Sequence, residues 1–353
     1  MIHIGIDLHS RNMTLAAVNN NGELIAERKN SNSPTLLEQF FADLPRPVQA
    51  VVECTSFWFW LADWCADKHI PLYLAHAKTL KAISYTKIKT DAVDARTLAN
   101  LLRADLIPTA HQPPLGQREL RERTRARLRM IEHRRHLQSR LWHLAAKYNV
   151  IIDEVGWRYL DRVEHLLISR LPVAVHLETR LLIGQIRQVQ HEVTLIEKDI
   201  TAQVQFNPSV DLLKDLPGFG LVCSWTVMAE IGDITRFPST REFTSYCRLV
   251  PGSKDSGGKQ RHRSGNKDGN RYLRTAYNQA AVIAHTRYGP VREYYNKIKR
   301  RSGKQIARTV VAKELAKITW HILTKNEPYK GFKGVMTPIR HQHYWPQSIS
   351  PYA

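Results

Sequence analysis

The first hundred residues alternate between short β-prone runs and segments with helical periodicity. The β-prone runs are HIGIDLH, MTLAAV, ELIAERK, PVQAVVE and IPLYLAH, and the helical segments are TLLEQFFADL, FWFWLADWCADK and KTDAVDARTLA. Residues 19–22, with the sequence NNNG, predict a hairpin turn between the second and third runs. The order βββαβαβα predicts one mixed sheet with helices packed on it.

Residues 117–205 have helical patterns and little strand signal. Nine arginines lie from Arg118 to Arg140 beside an apolar stripe, which predicts one helix with a strongly basic face. A merely solvated face is the other interpretation, although solvated helices usually mix charges more evenly. A second helix follows Pro172, and its apolar residues have the heptad spacing 4, 3, 4, 3 and 4. They are Leu182, Ile186, Val189, Val193, Ile196 and Ile200. This seam can pack as a helical hairpin within the chain or join two chains, and we expect a helical stalk that does both.

The last third of the chain combines a glycine-rich turn with two basic segments. Residues 212–237 predict two helices joined by PGFG, a turn that either brings backbone N–H groups to a phosphate or is only a tight structural turn. Residues 254–274 interleave lysine and arginine with glycine and lead into an apolar helix. The segment KIKRRSGKQIAR predicts a basic loop before an amphipathic helix, and the residues after it end in an aperiodic, extended tail.

Charge is the feature of the composition that most restricts the function. The chain has 353 residues, with 52 Lys and Arg against 32 Asp and Glu and a net charge of +20. Such a surplus is typical of proteins that neutralise many phosphates, so nucleic acid is the expected partner. Membrane attachment is the alternative, but no apolar run is long enough to span a bilayer. The start lacks a signal-peptide pattern and the four cysteines show no CxxC pair, so we expect reduced thiols in the cytoplasm.

Four carboxylates are candidates for a metal site. Asp91 and Asp94 lie three residues apart at the start of a predicted helix, where a simple capping role is one interpretation. Asp7 ends the first predicted strand and Glu53 ends the fourth, each after an apolar run where a lone charge is costly. Adjacent strand ends and the following helix can bring all four together, and clustered carboxylates stay ionised only beside cations. Oxygen ligands of this kind suit Mg²⁺, and a pair of such ions can act on a phosphodiester.

Five short motifs resemble one family of enzymes. GIDLH, VVECTS, KTDAVDARTLA, LPGFG and VPGSKDSGG together are similar to the insertion-sequence-110 family, the DEDD/serine transposases also described as bridge-RNA-guided recombinases. The resemblance implies an α/β plus all-α protein. Its parts are a RuvC-like, ribonuclease-H-type mixed-sheet domain, a helical coiled-coil insert and a mainly helical transposase domain with a catalytic serine. The corresponding boundaries are residues 1–112, 113–206 and 207–328, followed by a tail at 329–353.

The resemblance also assigns roles to individual residues. It implies that Ser256 attacks a DNA phosphodiester to form a covalent phosphoserine, and that the acidic tetrad binds the metal. The tetrad is Asp7, Glu53, Asp91 and Asp94. Two Mg²⁺ ions per active site are expected, with Mn²⁺ as a possible substitute. The serine and the tetrad come from different protomers in the family, so a homodimer is expected, assembling further into a tetramer.

The expected partners are donor and target double-stranded DNA and a guide (bridge) RNA in a bacterial cytoplasm. Two groups of basic residues are candidates for nucleic-acid binding. Lys254, Lys259, Arg261 and Arg263 would hold the DNA backbone, and Arg118, Arg121, Arg125 and Arg129 suit structured RNA. Two other functions are compatible with the residues themselves. One is a metal-dependent nuclease or junction resolvase that uses water as the nucleophile, and the other is a non-catalytic nucleic-acid-binding protein.

Overall fold

The computed structural model of the protein describes residues 1–83, 90–153, 156–204, 208–256, 259–263 and 268–332, with the backbone alone for 203–204, 252–256 and 259–263. The chain divides into two compact units, residues 1–115 and 116–353. Across the described ranges, no helix combines the length and apolarity needed to cross a bilayer. The boundaries predicted within the second unit stay predictions, and the predicted tail lies outside the described residues beyond residue 332.

The first unit is built on a five-stranded mixed sheet. Its strands are β1 (Ile2–Leu8), β2 (Asn12–Val18), β3 (Leu24–Ser31), β4 (Val48–Glu53) and β5 (Leu72–Ala75). They have the spatial order β3-β2-β1-β4-β5, in which β1 pairs antiparallel with β2 and parallel with β4. Its helices are α1 (Pro34–Ala42), α2 (Phe59–Asp67), α3 (Ala77–Ile83) and α4 (Asp91–Arg103). The mixed sheet predicted from the sequence is confirmed.

The central strands β1 and β4 are almost completely buried because helices cover both faces of the sheet. Alternate residues of a strand point to opposite faces. On one face, Ile4, Ile6 and Val52 share a core with side chains of α1 and α2, such as Phe40. On the other face, Val51 shares a smaller core with side chains of α4.

Gly5 lets α4 approach β1 more closely than any other residue would. A Cβ atom at Gly5 would lie 2.0 Å from the carbonyl oxygen of Ala95 and 2.5 Å from the amide nitrogen of Ala99. Distances below 3.0 Å to a backbone atom require the backbone to move. The glycine of the GIDLH motif therefore fixes the distance between α4 and the strand that ends near Asp7.

The second unit begins with three helices, α5 (Leu115–Lys147), α6 (Leu160–Arg170) and α7 (His176–Val204). Ion pairs join Arg140 to Glu178 and Arg127 to Glu197, so α5 and α7 run antiparallel. The predicted heptad seam of α7 is buried within the chain, where Ile186 and Val193 pack with residues of α5 and α6 such as Leu141. The seam therefore forms the helical hairpin, and its part in joining two chains stays a prediction.

The remaining elements surround one large core. They are α8 (Pro208–Lys214), α9 (Leu221–Ile231), α10 (Thr240–Tyr246), β6 (Gly252–Ser256), β7 (Lys259–Arg263), α11 (Arg271–Arg287) and α12 (Gly289–Lys325). The two helices predicted around PGFG are confirmed as α8 and α9. Gly218 in this turn has φ +79°, and a Cβ there would lie 2.0 Å from the Ala280 carbonyl oxygen, so this glycine permits tight packing on α11. The segment after Pro251 forms the antiparallel hairpin of β6 and β7. The basic loop predicted at residues 297–308 is wrong, because these residues lie within α12, where Gly303 departs from helical geometry.

Candidate active site

Asp7 and Glu53 lie at the same edge of the sheet. The parallel strands β1 and β4 pair Ile6 with Val52, and the next residue on each strand is the predicted carboxylate. The side chain of Asp7 is 15% exposed, and Glu53 is half-buried. The carboxyl ends of the two central strands therefore present two acidic side chains from one edge.

The N-terminus of α4 supplies the other two carboxylates. Thr90 is the N-cap, and its hydroxyl accepts a hydrogen bond from the Val93 amide at 3.3 Å. Asp91 and Asp94 are consequently first-turn residues and not the cap, and they lie on one face of the helix. The helix dipole favours the negative charge of both carboxylates, but the capping hydrogen bond is already made by the neutral side chain of Thr90.

His9 connects the strand carboxylate to the helix carboxylate. Its Nε2 atom lies 3.1 Å from Oδ2 of Asp7 and 3.6 Å from Oδ1 of Asp91. Potential ligand atoms of these three residues all lie within 4.8 Å of one another. Asp94 and Glu53 are not part of this group of atoms. We call the four carboxylates Asp7, Glu53, Asp91 and Asp94 the acidic cluster.

Lys29 completes the surroundings of the acidic cluster. Its Nζ atom lies 2.8 Å from Oδ2 of Asp91. It reaches the cluster across the sheet, because Thr14 on β2 pairs with both Asp7 on β1 and Lys29 on β3. His9 and Lys29 were not among the site residues predicted from the sequence. The position of His9 two residues after Asp7 was a usable signal, whereas Lys29 becomes a neighbour only through strand pairing.

The charges of the acidic cluster are unevenly compensated. Burial raises the pKa of Asp7 above its usual value, and the charges of Asp91 and Asp94 raise it further, while His9 acts in the opposite direction. The hydrogen bond from Lys29 lowers the pKa of Asp91. Asp7 is thus a carboxylate whose ionised form is disfavoured in the folded protein. A divalent cation at this position would reverse that preference.

The donor set fits a hard divalent cation. Carboxylate oxygens are the ligands preferred by Mg²⁺, and Mn²⁺ accepts the same oxygens. Asp7 and Asp91 are close enough to share one ion, and His9 offers an imidazole nitrogen at the same place. Among the described residues, this is the single group of three metal-ligating side chains that converge in this way.

The arginines predicted to bind RNA occupy different environments along α5. Arg118 and Arg121 are buried. Arg121 donates to the carbonyl oxygens of Ala229 at 2.9 Å and Glu230 at 2.7 Å. These side chains serve the interior of the unit, so the basic face of α5 is not an exposed surface at their positions. Arg129 is half-exposed and lies 3.5 Å from Glu122, and its contact with RNA stays a prediction.

Glu230 is the centre of a buried polar network that was not predicted from the sequence. Its carboxylate is fully buried and accepts two hydrogen bonds from Arg125, at 2.7 and 2.9 Å. Asn270 donates a further hydrogen bond at 2.7 Å, and Arg121 lies 3.6 Å away. We call these four residues the Glu230 network. It gives Arg125 a structural partner inside the protein.

Ser256 is the last residue of β6. The hairpin pairs it with Lys259, and it pairs Lys254 with Arg261 and Gly252 with Arg263. The backbone therefore gathers the predicted serine and four predicted phosphate-binding residues on one two-stranded ribbon. Their side chains lie outside the described part of the structure, so their roles stay predictions.

Comparisons with known proteins identify the family. Residues 4–149 match a model for DEDD transposases of the IS110 type, and residues 210–296 match the model described as the transposase IS116/IS110/IS902 family. The chain belongs to the IS110 family of transposases. The first match includes all four residues of the acidic cluster, and the second includes Ser256.

Full-length relatives support this assignment. The transposase is 24% identical to a probable family 20 transposase of Pseudomonas aeruginosa, over 93% of this chain and 98% of the relative. It is 22% identical to the transposase for insertion sequence element IS1328 of Yersinia enterocolitica, over 91% and 96% of the two chains. It is 23% identical to the transposase for element IS1111A of Coxiella burnetii, over 69% and 68%. The protein is a DNA transposase of an insertion sequence, and DNA is its substrate.

Proposed function

We propose that this transposase cleaves and rejoins DNA through the hydroxyl of Ser256, with divalent cations held by the acidic cluster. The observation that most supports the metal site is the convergence of Asp7 and Asp91 on His9 at the carboxyl edge of the sheet. The pKa of Asp7 is raised first by burial and also by the charges of Asp91 and Asp94, and His9 opposes this increase. Mg²⁺ is the proposed ion, with two per active site, and Mn²⁺ is the proposed substitute.

The serine step conserves the energy of the phosphodiester bond. The Ser256 oxygen forms a bond to phosphorus, and the bond from phosphorus to the leaving deoxyribose oxygen breaks. The proton lost by the serine hydroxyl balances the proton taken up by the leaving oxygen. The bound cations would neutralise charge on the phosphate and would make the Ser256 hydroxyl easier to deprotonate. The resulting phosphoserine can then be attacked by a deoxyribose hydroxyl of another DNA end, which restores a phosphodiester.

The hairpin that contains Ser256 suits an anionic substrate. Lys254 and Arg261 are cross-strand partners, and like charges directly opposite each other are unfavourable. A phosphate group between them would remove that repulsion. Lys259 and Arg263 extend the positive charge along the same strand. We propose that these four residues hold the DNA backbone beside the serine.

Assembly and RNA guidance are part of the same proposal. The family resemblance suggests a dimer, and further a tetramer, in which Ser256 acts with the acidic cluster of the partner subunit. Leu177 and Leu181 on α7 are 70% and 59% exposed and offer an apolar surface for such an assembly. The net charge of +20 is consistent with a guide RNA in addition to DNA. Sequencing RNA that copurifies with the protein tests this part, and the expected RNA has loops complementary to two DNA sites.

Covalent trapping tests the serine mechanism. Incubation of the protein with labelled element-end DNA and Mg²⁺ should give a protein–DNA adduct on denaturing gels. Ser256→Ala should abolish both adduct and cleavage, whereas Ser253→Ala, three residues away on the same strand, should keep both. Cleavage by Ser256→Ala without any adduct would instead support a nuclease that uses water. Unchanged recombination by Asp7→Asn would show that the acidic cluster is structural.

A further inference from the structure

Helix α12 bends at Gly303. This residue has φ +82° and ψ +169° inside an otherwise helical segment, a conformation that is essentially restricted to glycine. A Cβ atom at Gly303 would meet no atom within 4 Å. The glycine is therefore required by the shape of the backbone and not by close packing. The bend gives this exposed part of the helix a defined change of direction.

Six exposed cations flank the bend. Because no Asp or Glu occurs from Tyr294 to Lys313, the segment has no local counter-charge. None of the six forms an ion pair with a carboxylate among the residues that the structure describes. We call them the bend patch: Lys297, Lys299, Arg300, Arg301, Lys304 and Arg308.

The bend patch differs from the arginines of α5 in its pairing. Arg123, Arg127 and Arg140 on α5 each contact a carboxylate of α7. Glu293 lies four residues before Lys297 on α12, but in the described part of the chain no carboxylate is within ion-pair distance of the bend patch. A solvated face normally alternates charges, so six uncompensated cations on one short segment indicate a surface that meets an external polyanion.

Cations from both sides of the bend influence one histidine, His285. The imidazole of His285, at the end of α11, stacks on the ring of Tyr295 with centroids 3.9 Å apart. The pKa of His285 is lowered first by burial and then by the charges of Lys299, Arg292 and Arg308. Lys299 precedes Gly303 and Arg308 follows it, so cations from both sides of the bend act on the same imidazole. The mutual repulsion of these groups would be relieved by phosphate.

We propose that the bend patch is a docking surface for the backbone of double-stranded DNA. The spacing of single charges along a duplex suits a row of lysines and arginines on a rigid helix, and such contacts are independent of sequence. This inference rests on DNA as the substrate, which family membership establishes, and not on the serine mechanism or the metal site. It assigns DNA positioning to a segment outside both proposed catalytic elements.

Salt-dependent binding provides the test. Lys299→Gln, Arg301→Gln and Lys304→Gln are combined in one variant, and binding to a short duplex of scrambled sequence is measured by fluorescence anisotropy in EDTA. Each lost phosphate contact lowers the slope of log affinity against log salt by about 0.9, so a decrease of about two to three is expected. Because no cleavage occurs in EDTA, a failed catalytic mechanism does not affect the result.

A matched control removes the same charge elsewhere. Arg123, Arg140 and Arg187 are also partly exposed, but each pairs with a carboxylate. Replacing all three by Gln should change the slope of log affinity against log salt by less than the value of about 0.9 expected for one phosphate contact. A charge-preserving variant, with Lys299→Arg, Arg301→Lys and Lys304→Arg, should restore the wild-type slope. Equal slopes for the patch and control variants would overturn the proposal. So would a patch variant that loses affinity for structured RNA while its affinity for the duplex is unchanged.

Discussion

The two units of the transposase each contain a cluster of carboxylates and cations, and the two clusters differ in balance. In the Glu230 network, one carboxylate is shared by two arginines and an asparagine, and it is completely buried. In the acidic cluster, four carboxylates are accompanied by His9 and Lys29 and are partly exposed. The first cluster is saturated by the protein itself, whereas the second has capacity left for a ligand.

This difference separates a charge used for folding from a charge used for chemistry. A buried carboxylate is tolerated when every oxygen has a donor, as it is for Glu230. Asp7 has its ionised form disfavoured instead, by burial and by neighbouring carboxylates. Such an arrangement lowers the stability of the protein when no ligand is bound. It is typical of functional sites, where a cation or a substrate supplies the missing positive charge. Substitutions in each cluster test this difference.

The largest effect is expected for Glu230→Gln. This change leaves Arg121 and Arg125 buried without a counter-charge, and breaking a buried pair costs about 3–5 kcal/mol. Chemical denaturation followed by tryptophan fluorescence measures the loss. Glu119→Gln is the control, because Glu119 lies 3.8 Å from Arg123 on the surface. Its effect should remain within about 1 kcal/mol. Similar losses for both variants would contradict a structural role for the network.

Gly5→Ala should have the next largest effect. The new methyl group would collide with the backbone of α4 at Ala95 and Ala99, and overpacking of this kind costs about 1–3 kcal/mol. The displaced helix would also move Asp91 and Asp94 away from Asp7, so the thermal stabilisation by Mg²⁺ should decrease.

Gly184→Ala is the control for that substitution. Gly184 lies inside α7, and a Cβ atom there would meet nothing within 4 Å. Alanine is favoured over glycine in a helix by about 1 kcal/mol, so this variant should be slightly more stable and keep its response to Mg²⁺. An unchanged Mg²⁺ response in Gly5→Ala would show that α4 does not position the metal site.

Asp7→Asn should raise the stability of the metal-free protein while it abolishes DNA cleavage. Because the folded-state pKa of Asp7 is raised, the folded protein binds this proton more tightly than the unfolded chain does. Wild type therefore loses stability as pH rises from 3.8 through the folded pKa, and the variant lacks that loss. In EDTA at neutral pH the variant should melt at a higher temperature. A lower melting temperature would contradict the assignment of Asp7 to an unsaturated site.

Lys29→Gln should have the smallest effect on stability. The pair of Lys29 and Asp91 is largely exposed, and such pairs contribute about 1 kcal/mol or less. Without the lysine, the pKa of Asp91 should rise towards its usual value, and Asp91 becomes available to a cation. Thermal shifts at increasing Mg²⁺ concentration should therefore show half-maximal stabilisation at a lower concentration. Weaker Mg²⁺ stabilisation would show that Lys29 orients Asp91 instead of competing for it.

The order of elements in the first unit could be predicted because each strand and helix is encoded locally. The apolar runs ending in Asp7 and Glu53 gave the strands, and alternation with helices gave a mixed sheet. Lys29 could not be found in this way, because it reaches Asp91 through two successive strand pairings. Sequence patterns locate a side chain along its own element, while its neighbours depend on register between elements.

The basic face of α5 shows the same limit. Counted locally, its nine arginines far outnumber the acidic residues of the segment. In the folded chain, Glu230, Glu197 and Asp199 come from 70 to 105 residues away and pair with Arg125, Arg127 and Arg123 respectively. An excess of charge in one helix is therefore informative only after partners on other elements are known.

The ion pairs between α5 and α7 have a consequence for alignment of the helical hairpin. A seam with heptad spacing would retain its apolar contacts if α7 slid by seven residues, a shift of about 10 Å. Such a slip would move Asp199 from Arg123 to the level of either Gly116 or Met130, neither of which can form an ion pair. The slipped hairpins thus differ from the native one in electrostatic energy although their apolar contacts are equivalent. Charge here favours one alignment among several whose apolar contacts are equivalent, a selection that hydrophobic spacing alone cannot provide.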